Sequence, residues 1–458
     1  MKNTRVRTDL VGKPSLSAIA AGFGIAWLGI SPIAAQVSEE TSAGVLEEIT
    51  VTAQRREENL QTTPVAITAY SGETLEVNRI FTMYDLANST PSFSLTANTP
   101  LDLEMNIRGV TNTRLDAPTA DPSIGFFMDD VYIGRTGGMN VDFYDVERLE
   151  IIRGPQGVLL GKNVVGGALS VYTKRPEFEN SGEAMISLGN YSSVLVNGYV
   201  TGGLTENIAG RFSFQSRTHD GYGYDMLNDR ETDDLNSRQF RGQLSYQPED
   251  SIFRARLVVD YNKDKSNGIT VVAVPDDAPG GLRPWSTLRA FMGVSDPRIA
   301  YPERSQYAGD DFFHTQYLER EGWGLMLNME WGFEGSTLTS ITGYRDVSTG
   351  QLYDQTGAGP DVFDALYNFS DFLAFNPVSA TFLFSEPVRE DTDITQFSQE
   401  IRLTSDTDSK WDWIIGAYYK HDKINKLDRF FGESLSGALP TLSGESHWWN
   451  RGKMDSLA

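Results

Sequence analysis

In the second half of the chain, apolar and polar positions alternate with a period of two. Ile208, Gly210, Phe212 and Phe214 fall on one face of an extended segment, while Arg211, Ser213, Gln215 and Arg217 fall on the other. Phe240, Gly242, Leu244 and Tyr246 repeat this opposite Arg241, Gln243, Ser245 and Gln247. Phe253, Ala255, Leu257, Val259 and Tyr261 do so again, opposite Arg254, Arg256 and Asp260. This is the spacing of strands with two unlike faces. The pattern predicts about nine strands, near 183–190, 193–203, 207–217, 238–247, 252–262, 322–332, 337–347, 395–404 and 411–422.

Periodicity does not say which face meets water. A soluble sheet turns its apolar face to a core, whereas a membrane barrel turns it to lipid. The connections bear on the choice. Those near 203–206, 248–251, 333–336 and 405–410 are short, and those near 218–237, 262–321 and 348–394 are long. Tight turns at one end and long loops at the other are expected of an outer-membrane barrel, and a soluble sandwich does not sort its loops in this way. Trp323, Trp331, Trp411 and Tyr419, near strand ends, suit the two interfacial girdles, and burial in a core would explain them nearly as well.

The first half is different. Lys2, Arg5, Arg7 and Lys13 precede an uncharged apolar run from Leu16 to Ile30, then Ser31, Pro32, Ala34 and Ala35, the layout of a signal peptide over 1–35. A polar leader over 36–58 carries one extended segment, VLEEITVTA, at 45–53. It reads as an exposed strand on a mobile leader, suited to edge pairing with a partner, or equally as an N-terminal strand of the domain that follows. From 59 to 178, short apolar runs broken by Gly and Pro predict a small α+β domain. Thr82 and Asp85 stand at capping-box spacing before a short helix ending near Ser89. Strand-like RLEII leads into Arg153, Gly154, Pro155, Gln156 and Gly157, and Gly166 and Gly167 lead into ALSVYTK. These glycines lack both the Walker lysine pattern and the dinucleotide spacing, so a phosphate cradle is not indicated.

Composition removes further classes. The chain has 458 residues, 39 basic and 62 acidic side chains, a net charge of −23 and no cysteine. Such an acidic chain has no surplus to neutralise phosphates, which argues against nucleic acid as a partner. With no cysteine, and with His219, His314, His421 and His447 far apart, no local zinc motif exists and no cofactor is expected. The acidic loop residues lack the order of a calcium loop. Carboxylates are plentiful, but no pair marks an enzyme.

Taken together, the signal peptide, EEITVTA, the IRG run at 107–109, MDDVYI at 128–133 and IIRGPQGVLLGKNVVGGALSVYTKRP at 151–176 resemble TonB-dependent outer-membrane receptors. The motifs match in order over more than a hundred residues. The resemblance implies a plug over 59–178 lodged in an antiparallel transmembrane β-barrel that begins at 179, in a mainly β chain. It implies that Glu48, Ile49, Thr50, Val51, Thr52 and Ala53 are the box gripped by a TonB-type coupling protein in the periplasm. It also implies that Arg108 with Gly109, and Arg153 with Gly154, Pro155 and Gly157, tie the plug to glutamates on the wall. Glu400, on a charged strand face, is the candidate wall partner within 179–458. One departure is Leu160, where the family often has tyrosine, and a packing change is expected there.

The function implied is energy-coupled import of a scarce, bulky nutrient, above all a ferric siderophore, without catalysis. An odd strand count leaves 423–458 as an unfinished external loop, and RGKMDSLA lacks the aromatic final strand of the family. The expectation is an interrupted receptor whose remaining wall, with further glutamates for Arg108 and Arg153, lies beyond it. Two other classes fit less: a passive porin would need neither plug nor box, and a secreted glycan-binding β protein would leave the loop sorting unexplained.

Overall fold

The computed structural model describes residues 50–458 except 53–54, 56–57, 60, 62, 98, 102, 112–120, 140, 162, 226–229, 250–251, 271–306, 309–315, 355–386, 406–410, 433–443 and 458. The signal-peptide segment, and Glu48, Ile49 and Ala53 of the expected box, lie outside the described residues. The leader contributes two short antiparallel strands, β1 (Thr50–Val51) and β2 (Glu58–Asn59).

The plug follows as β3 (Ile67–Ser71), α1 (Gly72–Val77), α2 (Met83–Ser89), β4 (Phe93–Thr96), β5 (Glu104–Ile107), β6 (Ile124–Met128), β7 (Val131–Tyr132), α3 (Thr136–Met139), β8 (Val146–Arg153), α4 (Gly157–Leu160) and β9 (Gly167–Thr173). A five-stranded sheet runs in the order β3-β8-β9-β6-β7, and β4 pairs with β5 beside it. The capping box forms as its spacing predicts: the Asp85 amide donates to Thr82 Oγ1 at 3.2 Å, and the Thr82 amide donates to Asp85 Oδ2 at 2.9 Å. α2 therefore starts at Met83, whose side chain, with Leu86, enters the core. That core is apolar, with Phe126, Leu149, Ile151 and Leu169 wholly buried.

The wall is a ten-stranded antiparallel sheet in chain order: β10 (Ser181–Leu188), β11 (Val194–Gly203), β12 (Ile208–His219), β15 (Leu235–Tyr246), β16 (Phe253–Ser266), β18 (Tyr317–Phe333), β19 (Ser336–Asp354), β20 (Pro387–Ser405), β21 (Ile414–Gly432) and β22 (Gly444–Leu457). A small sheet of β13 (Gly223–Asp225), β14 (Arg230–Thr232) and β17 (Tyr307–Ala308) joins two of the long connections. β10 and β22 are the edges of the large sheet, and among the described residues no pairing closes it.

Two expectations are corrected here. Residues 423–458 are not one loop, since β21 continues to Gly432 and β22 returns alongside it, with Tyr419 opposite Leu457. The described strands of the wall number ten, not about nine. The sequence GESHWWNRGKMDSL has no apolar period, so its pairing rests on backbone hydrogen bonds that no side-chain pattern announces.

Which face is solvated is now decided. On β12, Arg211 is 3% exposed, Ser213 0% and Gln215 2%, whereas Phe212 is 47% exposed. On β15, Arg241 and Gln243 are buried and Phe240 and Leu244 are exposed. The polar face points at the plug, and the apolar face, with Val259, Trp323, Phe397 and Ile401, points outward. That inverts a soluble sheet and suits a wall in hydrocarbon. β18 to β21 have 17, 19, 19 and 19 residues, longer than the ~9–11 a tilted strand needs to cross a bilayer.

Candidate functional site

The site is the seam where the leader, the plug and the inward polar face of the wall meet. At the leader, Thr50 and Val51 pair with Asn59 and Glu58, and Val51 is fully buried. The Thr52 amide donates to Glu150 Oε1 at 3.0 Å, and Arg148 Nε donates to the same oxygen at 2.9 Å. The described part of the expected box is thus docked on the plug rather than standing as an exposed strand. Its amides are taken up by β2 and by a buried carboxylate, which removes the free edge that the isolated sequence suggested. Burial pushes the Glu150 carboxyl above its ordinary range, and Arg148 only partly offsets it.

The leader then turns: the Arg55 amide donates to the Thr52 carbonyl at 2.9 Å, and Arg55 itself has φ +62°. The left-handed region is disfavoured for a residue with a Cβ, so this backbone is held by its side-chain contacts. Arg55 Nη1 donates to Asp130 Oδ1 at 2.8 Å, Nη2 to Glu400 Oε2 at 3.3 Å, and Nε to the Leu159 carbonyl at 3.4 Å. Burial works against the guanidinium charge, but Asp130 and Glu400 outweigh it and hold its pKa above the ordinary value.

Glu400 therefore faces the plug, but its partners are Arg55 and Arg402, the latter at 2.6 Å, and not Arg108 or Arg153. Arg108 is exposed, with φ +53°, and its amide donates to the Ser92 carbonyl at 3.1 Å. Gly109 follows at φ +82°, closing the tight turn in which Ile107 bridges Val110. Arg153 Nη2 donates to the Pro91 carbonyl at 3.2 Å, and Gly154 turns the chain at φ +99°. Pro155 and Gly157 are exposed and lead into α4. Both arginines thus gather at the turn around 91–92, away from Glu400. Leu160 packs beside Phe127, Tyr132, Val164 and Ala168.

The plug is fastened to the wall by residues that motif reading passed over. Arg211 grips Asp145 with two bonds, 2.9 Å from Nε and 2.5 Å from Nη2. Gln215 at 2.9 Å and Arg217 at 3.1 Å both donate to Asp142. Arg241 lies over the Tyr144 ring and donates to its carbonyl at 3.3 Å. Arg256 donates to Asp129 at 3.2 Å and to Thr173 Oγ1 at 2.6 Å. Burial would raise the Asp129 carboxyl, but Arg256 and the two Thr173 hydrogen bonds overcome it and hold it below the ordinary range. Two signals for this clamp were present: arginines on the polar strand faces, Arg211, Arg217, Arg241 and Arg256, and the acids of VDFYD.

Comparison with known proteins agrees with this geometry. Residues 59–168 match the family model of the TonB-dependent receptor plug domain. The ferrioxamine receptor of Yersinia enterocolitica is 27% identical over 195 residues, which cover 41% of this chain and 26% of that protein. The vitamin B12 transporter of Photobacterium profundum is 23% identical over 186 residues, covering 40% of this chain and 30% of that one. Among solved structures, the ferripyoverdine receptor of the Pseudomonas aeruginosa outer membrane superposes with a TM-score of 0.63 at 14% identity, covering 89% of this chain and 50% of that chain. The chain thus spans about a quarter to a half of these relatives' own lengths.

Proposed function

We propose that this chain, whose residues 59–168 are a plug domain of the TonB-dependent receptor family, works in the bacterial outer membrane in energy-coupled import of a bulky iron chelate. The carrying observation is a leader strand tied to a plug that itself fills the polar side of a lipid-facing wall. A seated plug blocks passive flow, so a passive porin is disfavoured. A leader joined to that plug gives an external partner something to pull.

The mechanism needs binding and movement, not catalysis. Ligand held by the outer loops and the plug shifts the population of leader states, and a TonB-type protein in the periplasm captures the box, from Glu48 to Ala53, by strand pairing. Work done on the leader then displaces part of the plug. The ferrioxamine and ferripyoverdine receptors among the relatives favour a ferric siderophore as the cargo class.

The test is deletion of Glu48–Ala53 in cells that make the receptor, with radiolabelled ferric ferrioxamine as probe. Binding to the cell surface is expected to persist while accumulation inside is lost. Accumulation at the undeleted rate would refute the coupling role.

A further inference from the structure

The plug meets the wall through two unlike faces. Toward β12, β15 and β16 it is clamped by buried ion pairs, with the side chains of Arg211 and Asp145 only 1% and 4% exposed. Toward β20 and β21 a cavity of about 220 Å³ separates plug from wall, lined by Phe127, Tyr132 and Leu160 on one side and Arg402, Ile414 and Tyr418 on the other. Above it Gln396 holds the plug at Tyr132 and Gly134. Arg55 and the α4 segment border it where the leader joins.

The consequences of breaking the two contacts differ. Drawing Arg211 from Asp145 strands a buried carboxylate, which is strongly destabilising. Drawing Arg55 away strands neither of its acids. Glu400 keeps Arg402 at 2.6 Å, and Asp130 keeps the Tyr172 hydroxyl at 3.2 Å. Arg55 also gives up a left-handed backbone conformation that a residue with a Cβ disfavours. It follows Thr52 by a single turn, so tension on the box reaches it before any clamp residue.

We propose that the plug yields at the β20–β21 face: Arg55 is a latch, its release frees α4, and the cavity becomes the first part of the passage, while the clamp on β12 to β16 holds. This rests on the energy-coupled reading for the source of the pull, but the latch is a property of the resting molecule and is testable without ligand or coupling protein.

The absence of cysteine makes single thiol probes unambiguous. Ser213 on β12 and Ser398 on β20 are matched: they are 0% and 4% exposed, and each lies one inward position from Arg211 or Glu400, respectively. In the full chain in lipid, the reaction of Ser398→Cys and of Ser213→Cys with a water-soluble methanethiosulfonate is measured with and without Arg55→Ala. Arg55→Ala is expected to speed Ser398→Cys about tenfold, because exchange follows the open population, and to leave Ser213→Cys within about twofold. Arg211→Ala is expected to reverse that preference. Equal acceleration of both probes by either variant means that the plug moves as one body, and no acceleration of Ser398→Cys by Arg55→Ala means that Arg55 is no latch. Either result overturns the proposal. Box deletion, by contrast, tests coupling whatever these probes report.

Discussion

The plug and the wall obey opposite solvation rules in one chain. In the plug, Phe126 and Leu149 are fully buried, and its buried carboxylates, Glu150, Asp129 and Asp142, are answered by the leader or the wall. In the wall, Phe240 is 42% exposed while its neighbour Arg241 is 4% exposed. Both are strand residues in regular ladders. What differs is the medium beyond each face, and the plug is itself the polar filling that lets the wall turn its arginines inward. Buried wall arginines are tolerable because plug carboxylates and carbonyls answer them.

This contrast can be broken from either side. The largest effect is expected in the plug core. Phe126→Ala should cost about 3–5 kcal/mol of plug stability, read as a lower urea midpoint, because an apolar, fully buried core has little means of filling the gap. The outward face should behave as a lipid surface. Phe240→Arg, harmless on a water-facing sheet, should reduce insertion into vesicles by up to about 2–4 kcal/mol if that position lies near the bilayer centre, and by less toward the rim. Unchanged insertion would mean that the exposed apolar face does not meet hydrocarbon. The smallest effect sharpens the plug alone. Thr82→Ala should cost about 1 kcal/mol by removing the acceptor for the Asp85 amide, with no effect on vesicle insertion.

The legible features were those settled within a few residues. Thr82 and Asp85 are three positions apart and close their own capping box, so spacing suffices. The turns at Gly109 and Gly154 were marked by residues that accept positive φ. β12, β15 and β16 were visible because each carries two contrasting faces. β22 was not, since GESHWWNRGKMDSL carries no apolar period of two, and its pairing with β21 rests on the backbone. The site was legible in parts. VDFYD and the arginines of the polar strand faces were in plain view, yet the pairing of Arg211 with Asp145 spans 66 positions and depends on how the plug is seated. Glu400 was placed correctly on an inward face, but its cation is Arg55, 345 positions earlier, in a leader segment with no marked periodicity.

By itself the sequence determined the strand period, the turn positions, the helix start and the family motifs, because these depend on local backbone preference and nearest neighbours. The tertiary structure alone decided that apolar side chains face outward, that Val51 and Thr52 lie docked, and which arginine meets which acid. Each of those is an electrostatic or solvation outcome between segments far apart in the chain. A side chain's environment is fixed by what folds against it, and no spacing along the chain encodes that.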